Sequence, residues 1–393
     1  EPMTPLVAIP GAGAAIKLDG RVDAVEWVRA GSPTAFASVP GGTPADMQPR
    51  ILLAFDAEAL YLAGELPLGR RGEAVAQVRD RDGNVWEDDA LEVFLDPGHS
   101  HSTYYQLIVN SAGVRWDSQG KDKSWDADWQ VATGRDGDAW TVEMRIPFSS
   151  LGTKAPIDGE TWGLNVAWDR RTPSALTASW AHVDGSLHSP ERFGHALFAA
   201  KAPSIRPLGP NPLSSGSVAF VGDWCSAVDL KASLVLWERG PAGDRAEAGS
   251  AVASHSGDGV SRPLKMLVPL PRDGEYVRAG DYEAALTVTA GGEAAHVVAV
   301  RFTRPAPLSL SLREHLLAGR VEAHADASGL GLKPAQVRLS ASLQQRGGEQ
   351  LQARAMPRPD AACRSMFSSI TMASSTTNPT AMVSAMSERL SRL

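Results

Sequence analysis

The feature that most constrains this chain is a period of two. Through the first 200 residues apolar and polar side chains alternate in short runs, and each run stops at a turn signal. In Arg50–Phe55, residues Ile51, Leu53 and Phe55 share a face. In Ala90–Asp96, residues Leu91, Val93 and Leu95 point one way while Glu92, Phe94 and Asp96 point the other. Tyr104–Asn110, Trp140–Ile146 and Trp162–Trp168 repeat the pattern. The dipeptides Asp82-Gly83, Ala112-Gly113, Asp136-Gly137 and Asp158-Gly159 sit between these runs as hairpin turns do. A helix cannot sort side chains on this spacing, so the expected fold class is all-β, with an antiparallel β-sandwich at the N-terminus.

The remaining length sets the domain count. At 393 residues the chain is long enough for two or three cores. Residues 201–214 contain Pro203, Pro207, Pro210 and Pro212 and are expected to be a linker. A second strand set follows over residues 215–304, with Leu230–Trp237, Leu264–Leu270, Gly280–Val288 and Ala295–Phe302 as its strands. About 90 residues of this kind suit an immunoglobulin-like β-sandwich, without the Cys–Trp–Cys signature. Residues 305–356, with Leu308–Leu312 and Gln336–Leu343 as strands, are expected to be a partial third β domain. The last stretch, 357–393, is rich in Ser, Thr, Met and Ala, shows no sustained alternation, and is expected to be disordered.

Several function classes lack their signatures. The net charge is −7 with a pI near 5.8, which offers no basic face to nucleic acid. No apolar run reaches the ~20 residues that span a bilayer. Two cysteines, Cys225 and Cys363, give neither a disulfide framework nor a metal-site spacing. There is no phosphate-binding loop and no G-x-S-x-G elbow, and Gly11-Ala12-Gly13 lacks the third glycine of a dinucleotide fingerprint. His99 and His101 read as solvated loop histidines. Glycosidase carboxylates lie ~5–9.5 Å apart. Asp88 and Glu92, or Glu92 and Asp96, are separated by about 13 Å along an extended strand, so only carboxylates of neighbouring strands, such as Glu92 and Glu143, remain open as a pair.

The tryptophans say more. There are 11, nine of them before residue 200. Trp140 and Trp162 alternate within strands and are read as core. Trp86 lies in a polar turn segment, Gly83–Asp89, and Trp180 stands near a loop, Ser179–His182. Indoles in polar surroundings need a cover, and the C–H face of a sugar ring is one.

These residues then fall into a known order. Ile16–Gly20 with Asp23 and Trp27 resembles the opening strand of the family 9 carbohydrate-binding modules, and Ala54–Tyr61 their second strand pair. The strongest likeness is Trp86–Pro97. Val142–Phe148, Gly159–Asn165 and Arg192–Phe198 complete a resemblance over residues ~14–198. The resemblance implies a β-sandwich that binds a sugar in a slot between two tryptophans, here Trp86 and Trp180. It implies polar partners at Glu92, Gln106 and Asn110, while the family's arginine has no counterpart in register, Arg115 being out of step. It also implies structural calcium, with Asp19, Asp23, Asp56 and Glu58 as the candidate ligands; their alternative role is to cap turns. The expected partner is an oligo- or polysaccharide, and the expected location is extracellular or periplasmic. A second reading, a haem-binding electron-transfer sandwich of the same superfamily, needs an axial ligand such as Met144. A third makes the chain part of a larger glycan-degrading enzyme.

Overall fold

The computed structural model describes residues 3–68, 72–171, 174–210, 216–274 and 276–306, together with the backbones of six strands beyond residue 308. It divides into two compact units, residues 1–270 with 281–302, and residues 271–280 with 303–393. No helix among the described residues is long and apolar enough to cross a membrane.

The first unit opens with the strands that the alternation predicts. They are β1 (Leu6–Ile9), β2 (Ala37–Ser38), β3 (Arg50–Phe55), β4 (Ala59–Pro67), β5 (Ala90–Asp96), β6 (Tyr105–Asn110), β7 (Arg115–Gln119), β8 (Gln130–Asp136), β9 (Ala139–Pro147), β10 (Thr161–Arg170), β11 (Leu176–Ser179) and β12 (Gly194–Phe198). One sheet runs β3-β4-β9-β8 and the facing one β1-β12-β10-β5-β6-β7, with β11 and β2 added beside β10. The inward residues of both interdigitate in one core. Leu91, Val93, Leu95, Leu107 and Val109 meet Ile51, Leu53, Leu60, Leu62, Val142 and Met144, with Trp129, Trp140, Trp162 and Trp168 buried among them. Met144 is therefore core packing and not a ligand aimed at a cofactor. Segment Ile16–Gly20, expected as a strand, forms no ladder. It instead lies on the outer face of the β3-β4-β9-β8 sheet, where Trp27 packs on Tyr61, Ala54 and Leu52. Glu143 anchors this cover by accepting bonds from the Trp27 indole (3.1 Å) and from the Asp19 and Gly20 amides.

The chain continues into β13 (Ser204–Leu208), β14 (Ser217–Cys225), β15 (Leu230–Arg239), β16 (Arg245–His255), β17 (Arg262–Pro269), the two-residue pieces β18 (Arg272–Asp273) and β19 (Tyr276–Val277), β20 (Gly280–Ala290) and β21 (Glu293–Arg304). Strands β13-β14-β17 form one sheet and β16-β15-β20-β21 belong to another. The expected linker is thus partly strand. Its prolines fit because β13 is an edge, where a residue without an N–H breaks no ladder on its free side. Arg206 fixes it in place, with both guanidinium arms on Asp223 at 2.7 Å and a third bond to the Trp27 carbonyl.

The two sandwiches share a sheet. Strand β1 pairs in parallel with β12 on one side and antiparallel with β21 on the other, at Leu6↔Val297 and Val7↔His296. The boundary expected near residue 200 is crossed by backbone hydrogen bonds, and both modules fall in one compact unit.

In the second unit Ser309–His315, Arg320–Asp326, Met366–Ala373 and Arg358–Pro359 form a four-stranded sheet, and Leu339–Gln344 pairs with Gln350–Ala355. The strands expected at 308–312 and 336–343 coincide with two of these, apart from residues 308 and 336–338, which lie outside the described residues. The segment expected to be disordered contains Met366–Ala373, paired along its length with Arg320–Asp326. Ladder bonds to a neighbour can hold such a strand without the apolar alternation that a half-buried face shows. The rest of 357–393, apart from Arg358–Pro359, lies outside the described residues.

At the junction His296 is wholly buried, and neither ring nitrogen has a hydrogen-bond partner. Desolvation pushes its imidazole from the usual 6.5 down to about 4. A depressed pKa means stability that is present above 6.5 and lost as pH falls toward 4, because the unfolded chain takes up the proton first. The melting midpoint is expected to drop over this window more steeply in the parent than in His296→Leu, by up to roughly 3 kcal/mol of stability. Equal slopes in scanning calorimetry would show that the ring is not buried neutral.

Candidate functional site

The outward face of the larger sheet carries the site. Strand parity puts Glu92 of β5, Gln106 and Ile108 of β6, Trp116 and Ser118 of β7, Asp169 of β10 and Thr177 of β11 on the side opposite the core. The registers Glu92↔Ile108, Ile108↔Trp116, Gln106↔Ser118 and Asp169↔Thr177 place them in adjacent rows. These strands floor a cleft of about 960 Å³. Its walls come from loops: Trp86 from the short 3-10 turn Val85–Glu87, Tyr104 before β6, Lys121 and Lys123 after β7, Arg171 after β10, and Gly185–His188.

Two indoles form the apolar wall. Trp86 is half-buried and meets Trp116 edge to face, with centroids 5.5 Å apart and planes at 86°. Trp180 is elsewhere. It is 3% exposed and packed in the core, and a Cβ added to Gly194 would fall 2.6 Å from its ring. The pocket beside it holds about 30 Å³, enough for a water but not for a sugar ring. The reason is parity: Trp180 continues β11, where Ala178 faces in and Thr177 and Ser179 face out. The slot between Trp86 and Trp180 is therefore not present, and Trp116 is the indole that joins Trp86.

Asn110 also leaves the site. Its amide donates to the Val78 carbonyl (3.1 Å) and to Asp88 (2.9 Å), and its oxygen accepts from the Ala112 and Val114 amides. All four of its valences are used in tying the loop before β5 to the β6–β7 turn.

Glu92 and Gln106 do line the cleft. Gln106 Nε2 donates to Glu92 Oε2 at 2.7 Å. Burial drives the Glu92 carboxyl well above the usual 4.5, and the facing Asp169 carboxylate, in hydrogen-bond contact, drives it further. Glu92 is thus held toward its protonated form. Asp169 Oδ1 accepts from Thr177 Oγ1 (2.5 Å) and lies 3.2 Å from an Arg171 guanidinium nitrogen. Arg171 also donates to the Trp86 and Glu87 carbonyls, so the arginine holds the tryptophan turn against the sheet. Arg115, already out of register in the sequence, is turned away onto the Trp129 carbonyl and ring. Gln106 Oε1 and Asp169 Oδ2 are buried without a protein donor.

The carboxylates named for calcium do not converge. Asp19 and Asp23 accept from the Arg21 and Val25 amides. Asp56 accepts from the Glu58 and Ala59 amides and the Tyr61 hydroxyl, while Glu58 pairs with Arg145 at 2.7 Å. These are turn caps and a surface ion pair, a donor set that does not fit a calcium ion. Glu143 sits on the other sheet and is no partner for Glu92. His99 and His101 are joined by His195, with ring centroids 4.5 and 4.8 Å from His99. Among the described residues no three His, Cys, Asp or Glu side chains are grouped so as to hold a metal ion.

Residues 18–200 match the family described as carbohydrate family 9 binding domain-like. Among solved structures the chain is similar to a family 9 carbohydrate binding module from Caldicellulosiruptor kristjanssonii in complex with cellotriose, at 18% identity and a TM-score of 0.38, over 52% of this chain and 100% of that one. The same module in complex with glucose gives 18% and 0.38 over 51% and 100%. A putative carbohydrate-binding protein from Bacteroides uniformis gives 17% and 0.41 over 50% and 100%. No curated protein matches the chain.

Two outcomes follow from this geometry. Trp180→Ala opens a cavity in the core and is expected to lower stability by about 3–5 kcal/mol in denaturant unfolding; a loss below about 1 kcal/mol would contradict its core role. Glu92 works through pH. Its raised pKa gives stability that is full below 4.5 and lost as pH rises through the folded value. Glu92→Gln keeps the neutral shape, so its melting temperature should fall less than the parent's as pH rises above 4.5. Parallel curves would mean that Glu92 is ionised in the fold.

Proposed function

Since residues 18–200 match the family described as carbohydrate family 9 binding domain-like, we propose that this cleft binds an oligo- or polysaccharide without transforming it. The observation that carries the proposal is the pairing of an accessible indole, Trp86, with the unfilled buried acceptors Gln106 Oε1 and Asp169 Oδ2 in one cleft. A pyranose has two kinds of surface, C–H bonds on its ring face and hydroxyls at its edge. The first suits the indole plane, and the second supplies the donors that the floor lacks. The cleft volume, about 960 Å³, falls in the range of small-molecule sites.

Contact between Glu92 and Asp169 supports binding over hydrolysis. A glycosidase separates its carboxyl groups by ~5–9.5 Å so that the scissile bond lies between them. Two carboxyls in contact leave no such gap. The remaining strands we assign to presentation: the protein acts outside the cytoplasm as an accessory to polysaccharide breakdown, holding the glycan while another active site cuts it.

Trp86→Ala is the direct test. A stacked ring covers about 80 Å² of indole, worth roughly 2 kcal/mol at ~25 cal/mol per Å². On a glycan array followed by calorimetric titration, the variant is expected to bind its best ligand at least tenfold more weakly, with the melt nearly unchanged. Unchanged affinity would remove Trp86 from the site.

A further inference from the structure

The charges around the cleft do not balance, and the imbalance bears on which sugars it takes. On the floor Arg171 pairs with Asp169 at 3.2 Å. Burial and the neighbouring Asp169 push the Glu92 carboxyl toward its neutral form. Arg171 is further committed to the Trp86 and Glu87 carbonyls. What remains at the rim is two ammonium groups, Lys121 and Lys123. Neither forms an ion pair among the described residues, and both are exposed. Asp122, between them, turns back onto Ser124, accepting its amide and hydroxyl at 2.9 and 2.6 Å.

Position places both lysines on the ligand path. Lys123 Nζ lies over the Trp86 ring, 5.8 Å from its centre, on the side from which a pyranose would approach the indole. Their charge is also felt at the wall formed by Gly185–His188, where burial first and then both ammonium groups hold down the pKa of His188, whose ring meets the Tyr104 hydroxyl at 2.8 Å. A neutral sugar gives these groups nothing that water does not. An anionic group on the ring would meet two unanswered cations beside a low-dielectric aromatic wall.

Resting on the carbohydrate reading above, we propose that the cleft is selective for acidic glycans: a ring lies against Trp86 while its anionic substituent, carboxylate or sulfate, meets Lys121 and Lys123. Lysine is a compact charge without the fork of arginine, so the pair reads charge more than shape, and either substituent satisfies it. Exposed ion pairs are weak singly and screened by salt, which sets the scale of the effect.

The test is calorimetric titration of the full chain with matched sugars: cellotriose and its C6-carboxylated form, trigalacturonate and its methyl ester, a sulfated carrageenan oligosaccharide and its desulfated form. At low salt the acidic member of at least one pair is expected to bind about five- to tenfold more tightly than its neutral match. That ratio should fall to near one in about 0.5 M salt, and likewise in the double variant Lys121→Gln, Lys123→Gln. The pair that shows it identifies carboxylate or sulfate. Neutral members binding as well as acidic ones would overturn the selectivity and leave carbohydrate binding standing. A preference that survives in the double variant would overturn the role of the lysines. Binding of no sugar in the set would overturn both readings.

Discussion

Everything at the cleft depends on strand β5 being buried on both faces for different reasons. Leu91, Val93 and Leu95 hold the sandwich together, while Glu92 between them faces the opposite way into a polar row. Because side chains alternate, the core fixes the site: a shift of one residue in register would carry Glu92 into the hydrophobic layer and Leu91 into the cleft. The floor residues therefore need no machinery of their own to be positioned. Their burial follows from their neighbours, and that burial, with Asp169 beside it, is what raises the pKa of Glu92. The rim adds Lys121 and Lys123, from the loop after β7, beside the aromatic wall.

The same parity explains what was legible in the sequence and what was not. Period two marked β3, β5, β6, β9 and β10 directly, and with them the cleft residues Glu92 and Gln106. It failed where a strand was too short to announce itself. Leu176–Ser179 has four residues and no strong alternation, so Trp180 looked like a loop indole although Ala178, two residues before it, faces the core. Trp116 and Arg171 were missed for related reasons. Trp116 sits in Arg115–Gln119, whose polar neighbours disguise a strand, and Arg171 acts through the fold of the chain beyond β10, bringing it to Trp86 from 85 residues away. Asn110 had the right face and the wrong duty, because parity cannot tell which polar side chains are already consumed by turns.

Long-range pairing set the domain boundary, and composition alone did not reveal it. Proline spacing over 201–214 signalled a linker, yet Ser204–Leu208 is an edge strand tied by Arg206, and Leu6–Ile9 joins two sheets into one ladder. Nothing local to Leu6–Ile9 predicts a partner near residue 297. The consequence is mechanical: the N-terminal sandwich and the strands that follow share hydrogen bonds through β1, and the buried His296 lies at that seam.

The central claim is that sugar binds on the outward face of this sheet, against Trp86 and over Gln106 and Asp169. A crystal structure of the full chain with an acidic or neutral oligosaccharide bound tests it most directly. The account predicts a pyranose ring parallel to the Trp86 indole, hydroxyls within hydrogen-bond distance of Gln106 Oε1 and Asp169 Oδ2, and Trp180 untouched in the core. A sugar seated on any other surface, with the Trp86 cleft holding only water, would contradict it.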